Sequence, residues 1–142
     1  MIYINVETFL GKKYLLLMAL TLVLASLTLA ACGGGDGAGA DSADAGEQLF
    51  KKSTVGTTAG CKTCHSLEPG AVIVGPSLAG IASRAGNLVS GVSAEDYLRQ
   101  SILEPDAYLV KGYPASVMPK VWGEQLSEEQ VNGLVEYLLT LK

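Results

Sequence analysis

The sequence predicts an all-α fold, and three observations support this prediction. Ser93 and Ser127 each open a segment in which acidic residues precede an apolar series, which is how many helices begin. Apolar residues within 131–139 recur at the three- and four-residue spacing of one helix face. Strand-like sequence is almost confined to residues 71–74, which end at a Gly-Pro pair. We therefore expect helices to supply most of the regular structure.

The N-terminal segment, residues 1–31, has the composition of an export signal. Two lysines precede residues 14–31, which carry no charge and are rich in leucine and alanine. The tetrapeptide Leu-Ala-Ala-Cys at 29–32 resembles the lipobox of bacterial lipoproteins. That resemblance implies cleavage before Cys32 and lipidation of Cys32, which would hold the protein on the outer face of the bacterial cell membrane. The alternative is an uncleaved membrane anchor, although so short an apolar segment would barely span a bilayer.

Residues 32–43 predict a flexible tether between the membrane and the folded domain. Glycine, alanine and aspartate dominate this segment, and it has no large apolar side chain whose burial could offset the entropy of ordering. The folded domain is then expected over residues 44–142, which is the size of one hydrophobic core. The 142-residue chain has a formal net charge of −4, so nucleic acid is not an expected partner.

The first predicted helix covers residues 44–52. Asp41, Ser42 or Asp44 can cap its N-terminus, and lysines occupy its last turn. A loop rich in threonine and glycine follows over residues 53–60.

Three further helical segments are predicted. Residues 78–82 favour a short helical segment after a Gly-Pro turn. Ser93 is the expected N-cap of the next helix, and Pro105 is expected to end it. The tetrapeptide that begins at Ser127 has the sequence of a capping box, and it starts a final helix that continues to the C-terminus.

The pentapeptide Cys-Lys-Thr-Cys-His at 61–65 is the pattern most informative about function. This spacing attaches haem through two thioether bonds and places the histidine beside the iron. It predicts one covalent haem c, with Cys61 and Cys64 as attachment residues and His65, the only histidine, as an iron ligand. A thioredoxin-type dithiol would need a βαβ context, and a zinc site would need four ligands, whereas the only other thiol is Cys32.

Met118 is the candidate for the second axial ligand of the iron. Met1 is the initiator and Met18 lies in the apolar N-terminal segment, so Met118 is the only methionine of the foldable part. Prolines near it on both sides discourage a helix and predict a loop that presents the thioether. Lys111, Lys120 or a tyrosine remains as an alternative ligand.

Residues 44–142 resemble a class I monohaem cytochrome c in the order of the haem motif, the Gly-Pro turn, the methionine loop and the terminal helix. The resemblance implies the cytochrome c fold. It also implies that the carbonyl group of Pro76 orients His65 and that Leu78 packs on the haem. Such a hydrogen bond would fix the ring and raise its basicity.

The same resemblance implies that the first and last helices cross. Gly46 and Phe50 match the family pattern on one side, and Leu134 and Tyr137 match it on the other. Residues 101–142 look especially like the cytochrome c domains or subunits of bacterial respiratory complexes, such as alternative complex III and cytochrome oxidase.

An iron held by histidine and methionine has no open position, so the expected function is one-electron transfer with a positive midpoint potential. The expected partners are subunits of respiratory or photosynthetic membrane complexes, including a quinol-oxidising complex or an oxidase, or soluble redox proteins. The sequence does not separate a mobile carrier from a fixed subunit. A haem enzyme or sensor with an open distal site, such as a peroxidase, is the alternative.

Three lysines lie close in sequence to the predicted haem site. Lys62 is in the motif, and Lys111 and Lys120 flank Met118. We predict that they form a basic docking rim on an otherwise acidic protein; the alternative is three unrelated, solvated lysines.

Overall fold

The computed structural model describes residues 37–142, and this part of the chain is mainly helical. The all-α prediction is confirmed, with one small two-stranded hairpin added. The helices are α1 (Gly37–Phe50), α2 (Ile81–Arg84), α3 (Ala94–Leu103), α4 (Trp122–Gln125) and α5 (Glu128–Thr140), and single 3-10 turns occur at Cys61–Thr63 and Ala85–Asn87. The strands are β1 (Thr54–Val55) and β2 (Thr58–Ala59), which pair antiparallel.

Helix α1 begins at Gly37, before the predicted start at residue 44. Residues 37–43, which the sequence assigned to the tether, therefore belong to this helix. The early turns of α1 pack closely against the last helix, since a Cβ atom placed on Gly133 would lie only 2.9 Å from the Ser42 carbonyl oxygen. Such tertiary packing stabilises helical turns that are weak on their own. The predicted signal or anchor, residues 1–31, and the rest of the tether lie outside the described residues.

Helices α1 and α5 cross in close contact, as the family resemblance implied. A Cβ atom on Gly46 would overlap the carbonyl group of Gly133. The rings of Phe50 and Tyr137 meet nearby, with centroids 5.6 Å apart and planes tilted by 52°. The sequence pattern named Leu134 as a partner, but it did not identify Gly133, whose missing side chain allows the backbones to approach.

The predicted helix caps are present. The Ser93 hydroxyl accepts a hydrogen bond from the backbone N–H of Asp96, and α3 ends before Pro105. At α5, the Ser127 hydroxyl accepts from the Gln130 N–H, while the Gln130 side chain accepts from the Ser127 N–H.

Two local features differ from the prediction, and the strand-like segment 71–74 agrees with it. The loop over 53–60 contains the hairpin of β1 and β2, whose turn uses Gly56 at a φ of +57°. Helix α4 was not predicted. Residues 71–74 form no strand, because they have no partner strand and lie exposed, with Val72 63% accessible.

The core lies among α1, α3 and α5, which contribute most of its buried apolar side chains. These residues are Leu49, Phe50, Tyr97, Leu98, Ile102, Val131, Leu134, Val135, Tyr137 and Leu138. The frame of three helices holds the loops that carry the functional residues. No helix within residues 37–142 has the length and apolar character needed to cross a bilayer.

Candidate functional site

A cavity of about 360 Å³ brings the predicted functional residues together. Cys61, Cys64 and His65 form part of its wall, and Met118 joins them from a loop far away in sequence. The wall is mostly apolar. Its other apolar side chains include Phe50, Leu78, Ile81, Leu98, Ile102, Trp122, Leu134 and Leu138.

The haem motif winds into a helical turn at Cys61–Thr63. The Cys61 carbonyl oxygen accepts hydrogen bonds from the N–H groups of Cys64, at 3.1 Å, and His65, at 2.9 Å. This winding turns both thiols and the imidazole toward one cavity. Burial raises the pKa of the Cys61 thiol above its ordinary value.

His65 is held through one ring nitrogen. Its Nδ1 lies 2.9 Å from the carbonyl oxygen of Pro76, which is the contact that the family resemblance implied. A carbonyl oxygen only accepts hydrogen bonds, so Nδ1 carries the proton and Nε2 keeps a free lone pair. Burial lowers the pKa of His65, although the bond to Pro76 opposes this effect. The imidazole is therefore neutral, which is the form that binds a metal.

Gly75 makes room for this ring, and sequence reasoning did not identify it. A Cβ atom on Gly75 would lie 2.5 Å from Cε1 of His65. The Gly75 N–H donates to the Cys64 carbonyl oxygen at 2.9 Å, which fixes the segment against the motif. The available signal is the Gly-Pro pair at 75–76, which predicts a turn but not a close approach to the imidazole.

Met118 lies between α3 and α4 in a segment without regular helix or strand, and residues 113–120 of this segment form the Met118 loop. Met118 is half-buried, packs against the core and lines the same cavity as His65. Of the alternative ligands, Tyr97, Tyr108 and Tyr113 also line this cavity, whereas Lys111 and Lys120 are absent from its described wall.

A cytochrome c family model matches residues 43–142 of this chain, which is more than half of its length. The chain belongs to the cytochrome c family. It is 38% identical to cytochrome c2 iso-2 of Magnetospirillum molischianum over 88 residues, which are 58% of this chain and 91% of that protein. It is 33% identical to cytochrome c2 iso-1 of Magnetospirillum fulvum over 94 residues, and this match covers 58% of this chain and 91% of that protein. It is 34% identical to cytochrome c2 of Rhodoblastus acidophilus over 85 residues, and this match covers 59% of this chain and 72% of that protein.

This cytochrome c therefore has the class I fold, binds haem c covalently and takes part in electron transfer. The residues of the cavity fit that group. Leu78 and the other apolar side chains suit a large flat apolar ring. Trp122 is part of this wall, and its indole Nε1 is buried without a hydrogen-bond partner among the described residues, so it is a donor suited to an acidic side chain of a haem. Arg84 also lines the wall, but its guanidinium already donates to the carbonyl oxygens of Ala79 and Ser77.

The lysines near the site are not equivalent. Lys120 forms an ion pair with Asp106 at 2.5 Å, so its charge is already matched. Lys62 and Lys111 are exposed. Lys120 thus takes part in the bonding of the Met118 loop, and the basic docking rim stays a prediction.

Proposed function

We propose that this cytochrome c transfers one electron at a time through a haem iron that His65 and Met118 would hold. Cys61 and Cys64 would attach the haem covalently. Haem supplies the Fe(II)/Fe(III) couple when it is bound. The observation that carries the proposal is the placement of the free Nε2 lone pair of His65 and the Met118 loop on one apolar cavity.

The protein's own contribution is to hold two ligands of different character and to exclude water. The bond from His65 to Pro76 fixes the ring orientation, and Leu78 adds to the apolar wall. A thioether from Met118 and apolar surroundings both favour the less charged ferrous state. We therefore expect a positive midpoint potential.

The test of ligation compares Met118→Ala with the adjacent Val117→Ala. We expect the oxidised wild-type protein and Val117→Ala to show the red-region charge-transfer band of methionine bound to iron, and Met118→Ala to lose it. The midpoint potential of Met118→Ala should fall by on the order of 0.1 V or more, because the axial ligand is a main determinant of potential. A wild-type protein without this band would contradict the proposal and favour an open distal site.

We also propose that residues 1–31 are removed and that lipidated Cys32 holds the domain on the outer face of the bacterial cell membrane. The composition of residues 1–31 supports export, and the tetrapeptide at 29–32 supports lipidation. Such an anchor would keep the haem domain near membrane complexes of a respiratory or photosynthetic chain, with a quinol-oxidising complex or an oxidase as partner.

The anchor is tested with Cys32→Ser. We expect the wild-type protein to remain with membranes and to enter detergent, while Cys32→Ser releases a haem-containing domain or leaves an unprocessed precursor. An equal distribution of the two proteins, with equal processing, would reject lipidation. Co-purification in mild detergent then separates the two modes of action: a fixed subunit remains with its complex, and a mobile carrier does not.

A further inference from the structure

We propose that Asp106 is a positioning residue that holds the Met118 loop closed over the cavity. Its carboxylate binds the loop on both sides of Met118, through Ser116 and Lys120. This inference rests on the proposed ligation by Met118, and it names the group that keeps this ligand in place.

The carboxylate oxygens of Asp106 receive three donors from the loop. The Ser116 N–H donates to Oδ1 at 2.9 Å, and the Ser116 hydroxyl lies 3.3 Å from Oδ2. The ammonium group of Lys120 lies 2.5 Å from Oδ2. Bonds of this kind, in which one partner is ionised, are stronger than those between neutral groups. One side chain therefore fixes the loop just before and just after Met118.

Asp106 is itself fixed to a helix. It follows the C-terminus of α3, where the Glu104 N–H donates to the Gln100 carbonyl oxygen at 2.7 Å. Pro105 restricts the backbone before it, and the Ala107 N–H closes a turn to the Glu104 carbonyl oxygen at 2.8 Å. The loop is thus bound to a residue that the end of α3 and this turn hold in place.

The loop needs such a restraint. Ser116 has a φ of +63° and is the only non-glycine residue between 37 and 142 with a positive φ, which is an unfavourable backbone conformation. Val117 is 46% exposed, so burial adds little beside Met118. The side chain of Asp106 is only 27% exposed, which protects its bonds from full competition with water.

The experiment uses the full-length holoprotein and compares Asp106→Ala with Asp106→Asn and a matched control, Glu104→Gln. Glu104 is an exposed neighbouring acid at the end of α3, and its replacement removes the same charge without touching the loop. The measurements are the methionine-to-iron charge-transfer band of the oxidised protein and its apparent affinity for imidazole, an external ligand that must displace Met118.

We expect Asp106→Ala to weaken the band and to bind imidazole roughly tenfold more tightly or better, because apparent affinity rises with the fraction of open loop. Asp106→Asn should be intermediate, since its carbonyl oxygen can still accept from the Ser116 N–H. Glu104→Gln should match the wild-type protein. If Asp106→Ala does not fold, as judged by circular dichroism and haem content, Asp106→Asn alone must show the increase.

Three results would overturn the proposal. A wild-type band that neither Asp106 variant alters, with unchanged imidazole affinity, would reject the restraint while leaving ligation by Met118 intact. An equal effect of Glu104→Gln would assign the change to charge alone. By contrast, a band absent from the wild-type protein would reject ligation by Met118, and the role of Asp106 with it.

Discussion

His65 shows how one neighbouring backbone group prepares a side chain for iron. The carbonyl oxygen of Pro76 accepts a hydrogen bond from the protonated Nδ1, and burial keeps the ring neutral. Gly75 supplies the space beside the ring, because any side chain there would meet the imidazole. The geometry of this one residue thus depends on two others that have no metal-binding group.

Gly75→Ala should displace the imidazole. The added Cβ atom would lie 2.5 Å from Cε1 of His65, which forces a shift of the ring or of the segment before Pro76. We expect a loss of stability of about 1–3 kcal/mol and a reduced haem content, measured by denaturant unfolding and by covalent haem staining. Gly123→Ala is the control, because its Cβ atom would meet only Leu103, at 3.9 Å. Equal behaviour of the two variants would contradict this account.

Asp106 gives the protein an acid-sensitive contact. Lys120 and then the Ser116 N–H lower its pKa below the ordinary value of 3.8, although partial burial opposes them. The ionised form is thus favoured by folding, so its contribution is complete above pH 3.8 and is lost as the pH falls through the lower pKa of the folded protein. The wild-type protein should be more stable than Asp106→Asn near neutral pH. This difference in the free energy of unfolding should shrink below pH 3.8, whereas a constant difference would contradict the prediction.

At the scale of elements, the crossing of α1 and α5 holds the first and last helices of the described domain together. Gly46 and Gly133 let the two backbones touch, and Phe50 and Tyr137 pack beside them. Both helices also supply cavity wall, through Phe50 and Leu134. A change at the crossing should therefore reach the site through the packing of the helices.

Gly46→Ala should destabilise the whole domain. Its Cβ atom would overlap the Gly133 carbonyl group, and backbone atoms cannot yield as a flexible side chain can. We expect a loss of about 3 kcal/mol or more, at the upper end of overpacking costs, measured by chemical denaturation. Gly86→Ala places its Cβ atom 3.5 Å from the Ala94 nitrogen, which is ordinary contact, and serves as the control. If Gly46→Ala lost no more stability than Gly86→Ala, the two helices could move apart without a loss of free energy of unfolding, which would contradict the prediction.

At the scale of the whole molecule, the cavity makes the fold depend on its prosthetic group. The cavity of about 360 Å³ has a mostly apolar wall, so without a bound group this apolar surface would face water or have to collapse. The three main helices surround a space that their own side chains do not fill.

Replacing both Cys61 and Cys64 with serine should therefore unfold much of the domain. Without covalent attachment the haem can dissociate, and the cavity would be left to collapse or to fill with water. We expect a large loss of helical circular dichroism and of the cooperative thermal transition. Cys32→Ser, which leaves the cavity unchanged, should keep both in the haem-containing domain. A well-folded double variant without haem would show that the helices are stable around an empty site.

The short-range sequence pattern was sufficient to predict those parts of the structure that depend only on neighbouring residues. The caps at Ser93 and Ser127 and the turn of the haem motif each follow from bonds within a few residues, so the sequence by itself determined them. The resemblance added the Pro76 contact and the helix crossing. It could not show that Gly133 meets Gly46, that Gly75 clears space for His65, or that α1 begins at Gly37, because these features arise where distant segments touch.

The tertiary structure alone decided how the Met118 loop is held. From the sequence, Lys120 was an exposed charge of a docking rim or a substitute ligand, and Asp106 had no role. The fold places this acid at the end of α3 and within bonding distance of both Ser116 and Lys120. Residues that are not neighbours in the chain can form a hydrogen bond only if the backbone brings them together, and the packing of the helices determines the course of that backbone.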